Sequence, residues 1–120
     1  MPQFLFRKPK YPLLIETDSN VKAAINSADL SKIIKKYEFS NKYNYIVIDA
    51  TSEGWVYHPK EDILSPMVFG NRKRWTKTRI IELYNNSKAK VGGTQYISGS
   101  ISNKRVDKII EEIAEFEGRP

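Results

Sequence analysis

Near the end of the chain, Val106, Ile109, Ile110, Ile113 and Ala114 fall at i, i+3, i+4, i+7 and i+8, which places them on one face of an amphipathic helix. The pattern predicts a helix over 104–117, capped by Ser102 or Asn103 and ended by Gly118 and Pro120. Leu30, Ile33, Ile34 and Tyr37 repeat that spacing and predict a second helix over 29–37 with Ser27 as its cap. Upstream, Val21, Ala24, Ile25 and Ala28 are also helically spaced, but at about 100° per residue their stripe faces the other way. One straight helix cannot bury both stripes on one side. The chain is therefore expected to break near Asn26 and Ser27, leaving 21–25 as a short helical turn or a strand.

Period-two patterning marks a hairpin. Residues 43–49 are rich in β-branched and aromatic side chains, 50–54 are mostly small or polar and end in glycine, and 55–58 resume the strand pattern before Pro59. With 50–54 as the loop, Asp49 opposes Trp55 and Val47 opposes Tyr57. One face of the ribbon then carries Tyr43, Tyr45, Val47, Trp55 and Tyr57, and the other Ile46, Ile48 and Val56. A four-residue loop would mix the two sets. Further strands are expected at 11–16 and 94–98, with 3–7 a candidate cut short by Pro9. Two prolines and a glycine in 58–74 predict a long irregular connection. The expected architecture is α+β: a single globular domain over 1–120, one mixed or antiparallel sheet containing the 43–58 hairpin, and about three helices packed mainly on one face.

Composition narrows the chemistry. At 120 residues, 40% of them hydrophobic, the chain can bury a core without covalent staples. It has no cysteine, which excludes disulfides, thiolate metal sites and a cysteine nucleophile. No apolar run is long enough for a membrane span, and Leu13, Leu14 and Ile15 before Glu16 are too short for a secretory leader. The expectation is a soluble, cytoplasmic protein with no membrane contact. Lys and Arg number 20 against 14 Asp and Glu, a formal charge of +6. Residues 104–117 hold three cations and five acids, whereas 1–103 hold sixteen cations and nine acids, so positive charge is concentrated away from the last helix.

The run from Gly70 to Tyr84 carries five cations, Arg72, Lys73, Arg74, Lys77 and Arg79, before its first acid, Glu82. With Thr76 as N-cap of a helix, Trp75 precedes the cap and Ile80 is the fourth helical residue, the pairing of a hydrophobic staple. Lys77 and Arg79 then lie in the first turn, where the helix dipole disfavours cations by about 0.3–1 kcal/mol. A segment that breaks a local stability rule is a candidate functional site. Exposed helix-start N–H groups beside five cations suit a phosphate or carboxylate. The bland reading is a solvated charged face with some cations paired to Glu82 or to the acidic last helix.

These features give three expectations of function. The first is a small basic binding domain, not an enzyme, that contacts RNA or single-stranded DNA. Arg72, Lys73, Arg74, Lys77 and Arg79 would meet phosphates, while Tyr43, Tyr45, Trp55 and Tyr57 would stack on bases; the competing role for those four is strand packing. The second is an interaction module that docks on an acidic protein. The third is a metal-dependent nuclease using Asp49, Glu53 and Glu61 with Lys60 nearby, or His58 as a general base beside Glu53, Glu61 or Asp62. A single histidine excludes two-histidine metal motifs, and no cofactor is expected. Val91-Gly92-Gly93-Thr94 fits neither phosphate-loop pattern and reads as a turn.

Overall fold

The computed structural model describes residues 2–17, 21–37, 39–40, 42–68, 70, 72–90 and 104–117. Six strands form one sheet: β1 (Gln3–Phe4), β2 (Leu13–Glu16), β3 (Val21–Ala24), β4 (Tyr45–Ile48), β5 (Gly54–His58) and β6 (Ile63–Pro66). Their spatial order is β1-β6-β5-β4-β2-β3. The β1–β6 pair is parallel and every other pair is antiparallel, so the sheet is mixed. The helices are α1 (Ser27–Lys36), α2 (Lys77–Lys90) and α3 (Val106–Glu117), completing the α+β architecture expected from the sequence.

Strand alternation divides the core in two. Leu14, Val21, Ala23, Ile46 and Ile48 face a cluster with Ile80 and Tyr84 of α2 and Ile109, Ile110 and Ile113 of α3. Leu13, Ile15, Ala24, Tyr45, Val47, Trp55, Tyr57 and Leu64 face the other way, packing with Leu30 and Ile33 of α1. Two helices therefore share one face and the third covers the opposite one. This explains why β2 and β4 read as continuous apolar runs: both their faces are buried.

Several local expectations shift. Residues 21–24 are a strand paired with β2, which resolves the conflict between the two helical stripes. Asn26, not Ser27, caps α1: its Oδ1 accepts the Asp29 N–H at 2.9 Å, and Asp29 Oδ2 in turn accepts the Ile25 N–H at 3.1 Å. The 58–74 connection contains β6, whose run Ile63-Leu64-Ser65-Pro66 pairs with β5 and, for two residues, with β1. Its proline lies past the two residues that pair with β1, where the strand has an open edge that needs no ladder N–H. The expected strand at 94–98, the turn at 91–94 and the caps Ser102 and Asn103 lie outside the described residues.

The hairpin forms with Val47 opposite Trp55 and Tyr45 opposite Tyr57, a slip of two residues from the register predicted with 50–54 as the loop. Because side chains alternate with period two, such a slip leaves the composition of each face unchanged.

Candidate functional site

Asp49 organises the corner between β4 and β5. Its Oδ1 accepts from the Thr51 N–H (2.8 Å), the Thr51 Oγ1 hydroxyl (2.6 Å) and the Glu53 N–H (3.1 Å), and its Oδ2 accepts from Trp55 Nε1 (3.1 Å). Four donors satisfy a carboxylate that is only 2% exposed, as burial requires. Glu53, 4% exposed, is held by Arg7, whose two guanidinium nitrogens meet its two carboxylate oxygens. That hydrogen-bonded pairing raises the Arg7 pKa; partial burial acts against it, and the Glu53 and Asp49 charges add to it. The same guanidinium lies 5.0 Å from the centre of the Trp55 ring.

The basic run docks against this corner through its backbone. Gly54 N–H donates to the Lys73 carbonyl at 2.7 Å and Trp75 N–H to the Ser52 carbonyl at 2.9 Å; within the run, Trp75 Nε1 donates to the Arg72 carbonyl at 2.8 Å. A Cβ on Gly54 would lie 1.8 Å from the Arg72 carbonyl oxygen, so glycine is what allows the approach. Arg74 forms an antiparallel bridge with Glu53. Bridged residues share a face, so Arg74 is brought to the side on which Arg7 reaches Glu53. The chain between Arg7 and β2 joins the same corner, since Ala50 N–H donates to the Lys10 carbonyl at 2.9 Å.

The helix start follows the predicted pattern. Thr76 Oγ1 accepts the Arg79 N–H at 3.2 Å and the Thr76 carbonyl accepts the Ile80 N–H at 3.0 Å. Trp75 and Ile80 pack in one cluster, completing the staple, and the first turn of α2 holds no acid. The Arg79 guanidinium lies 4.3 Å from the centre of the Trp75 ring and donates to the Arg74 carbonyl at 3.3 Å. Of the five predicted cations, Arg74 is thus tied through its backbone to Glu53, the partner of Arg7, and Arg79 to Trp75 and the Arg74 carbonyl. Arg72 and Arg74 are exposed; Lys73, Lys77 and Arg79 are half-buried. Among the described residues no ion pair holds Arg72, Lys73 or Arg74. Two acids of α3 have nearer partners, Glu112 with Lys104 at 2.8 Å and Asp107 with Arg105 at 3.4 Å.

Other predicted residues take different places. Tyr45, Trp55 and Tyr57 are 5%, 0% and 3% exposed, so they are core residues and no stacking platform. Leu30 and Ile33 of α1, with Phe4, Tyr11 and Phe39, pack in the same cluster. Phe39 packs edge-on against Tyr45 and Tyr57, with ring centres 4.9 and 5.3 Å apart. The Tyr57 hydroxyl donates to Asp62 Oδ1 at 2.7 Å; burial first, then that bond and the Asp62 charge, raise its pKa. Tyr43 is 64% exposed but stands five residues before Ile48, about 17 Å along an extended chain from the cationic end. His58 is flanked by Asn44 Oδ1 and Ser65 Oγ, each at 3.2 Å, in place of the carboxylates considered for it. Asp49 and Glu53 are consumed by internal bonds. Among the described residues no group of three or more His, Asp or Glu is placed to hold a metal ion, so Asp49, Glu53 and Glu61 do not make one site.

The sequence run at 72–79 did not reveal that Arg7, Lys8 and Lys10 belong to the same end. The join is made by Glu53, an acid that looked like a nuclease ligand. Among the described residues no helix is long and apolar enough to cross a membrane. In comparisons with known proteins, no family, no curated protein and no solved structure matches the chain.

Proposed function

We propose that the β4–β5 corner binds a polyanion, and that the polyanion is RNA or single-stranded DNA. The observation that carries this reading is convergence. The N-terminal segment that carries Arg7, Lys8 and Lys10 and the segment before α2 that carries Arg72, Lys73 and Arg74 are both bonded to a corner whose two acids, Asp49 and Glu53, are buried and already bonded. Cations assembled from two segments, with neighbouring acids withdrawn from the surface, leave a net positive field for phosphates. The α2 start adds Lys77 and Arg79 where a stabilising helix would carry acids.

Retention on immobilised heparin and on an immobilised random single-stranded oligonucleotide at about 0.15 M salt tests the reading. Retention on both, lost together in Arg72→Ala/Arg74→Ala, is the expected result. Retention on neither would refute it. Retention on heparin alone would favour the interaction module that docks on an acidic protein.

A further inference from the structure

We infer that the turn centred on Phe6 is a nucleobase-stacking tip, which makes the ligand of the corner a single strand with accessible bases. The inference rests on the polyanion reading and adds what that ligand must carry besides phosphates.

Phe6 is 87% exposed, more than any other large apolar side chain among the described residues. Its φ is 70°, a region that L residues with bulky side chains rarely occupy. The Arg7 N–H donates to the Leu5 carbonyl at 2.8 Å, closing a three-residue γ-turn of the rare form with a positive central φ. Glycine would hold this conformation without the steric cost. Both flanks of the turn are anchored: Leu5 N–H donates to the Leu64 carbonyl at 3.0 Å, and Arg7 is fixed by Glu53 and stacked on Trp55. A strained backbone fixed on both sides and presenting an aromatic ring to solvent points to a function for the ring.

The surroundings say what the ring meets. Phe6, Phe4, Arg7 and Lys8, with Pro2 and Gln3, line a shallow, open depression of about 530 Å³. Lys8 and Lys10 follow Phe6 in the chain, and Arg74 lies across Glu53 from Arg7. An aromatic face among cations is how single strands are held: cations track the backbone while a base stacks on the ring. A duplex keeps its bases stacked on one another and offers no such face. A lipid surface would also accept cations and an apolar tip, but Phe6 and the partly exposed Leu5 together provide little area to anchor a protein in a bilayer.

The test is fluorescence anisotropy at about 0.05 M salt with labelled oligo(dT) of about 12 nucleotides and with an abasic phosphodiester of equal length. Phe6→Gly should weaken oligo(dT) binding about 5-fold or more and leave the abasic strand unchanged, while Phe6→Trp keeps wild-type affinity. Arg72→Ala/Arg74→Ala should weaken both ligands. The melting temperature of Phe6→Gly should equal or exceed that of wild type by a few °C, which separates lost binding from lost folding. If Phe6→Gly binds oligo(dT) as wild type does while the arginine variant is weakened, the stacking tip is refuted and the polyanion corner stands. If neither variant alters binding, or wild type binds neither strand, both fall. Phe6-dependent binding to phosphatidylserine vesicles without binding to oligo(dT) would overturn the inference in favour of a lipid surface.

Discussion

Trp55 and Phe6 lie at the same end of the sheet, linked through Arg7, which stacks on the Trp55 ring and follows Phe6 in the chain. Trp55 is wholly buried and Phe6 is 87% exposed. Trp55 stands on a strand whose side chains must alternate, on a face closed by α1; its position follows from the ladder. Phe6 stands at a turn whose single positive φ carries its side chain out of the alternation. Aromatic character alone therefore does not decide exposure in this molecule. For this pair, the backbone beneath each ring does.

Substitution should separate the two regions sharply. Trp55→Ala should cost about 3–5 kcal/mol in urea unfolding, aggravated because the Asp49 carboxylate loses its Nε1 donor. Phe6→Ala should stay within about 0.5 kcal/mol of wild type, and an equal loss at both positions would erase the distinction. Gly54→Ala should follow, at about 3 kcal/mol, since the new Cβ at 1.8 Å from the Arg72 carbonyl oxygen must push the basic segment off the corner. Oligonucleotide affinity should fall with it. A stable Gly54→Ala variant with full binding would show that the docking of Arg72–Arg74 is dispensable.

Smaller effects sharpen the buried side of the comparison. Tyr57→Phe removes the bond to Asp62 and should cost about 1 kcal/mol at neutral pH. Tyr57 and Tyr11 both have pKa values raised above their ordinary value of 10, Tyr11 by burial. Between that value and the folded-state pKa the unfolded chain loses a proton that the native state keeps. The stabilisation is therefore complete below pH 10 and declines above it by about 1.4 kcal/mol per pH unit for each tyrosine. Tyr57→Phe should make this alkaline decline shallower, read from urea midpoints between about pH 10 and 11; an unchanged decline would contradict the assignment. Smallest of all, the buried Tyr11 hydroxyl has no hydrogen-bond partner among the described residues, so Tyr11→Phe should be neutral or stabilise by up to about 1 kcal/mol. A clear loss of stability would mean that the hydroxyl is bonded in solution.

What could be read from the residues followed the strength of local pattern. The stripes Leu30–Ile33 and Val106–Ile113 are long enough to declare helices, and the staple of Trp75 with Ile80 was legible because both its members and its cap are local. β6 was not legible: four residues ending in proline carry too little period-two signal, and its partners β1 and β5 are distant in sequence. The fate of Tyr45, Trp55 and Tyr57 was equally hidden, since alternation groups side chains by face without saying which faces are covered. Half of the cationic corner was visible as the run from Arg72 to Arg79. The other half, Arg7 to Lys10, joins through contacts distant in sequence, Arg7 with Glu53 and Trp55 and Lys10 with Ala50. Phe6 carried no signal, because neither glycine nor asparagine announces its turn.

The salt dependence of single-strand binding, compared between wild type and Arg72→Ala/Arg74→Ala, tests the cationic corner most directly. Each phosphate contact to a single strand contributes about 0.7 to the magnitude of the slope of log K against log salt. The double variant should therefore lose about 1.4 from that magnitude, with weaker binding at low salt. Parallel lines for the two proteins would mean that these arginines neutralise no phosphate, and would contradict the account.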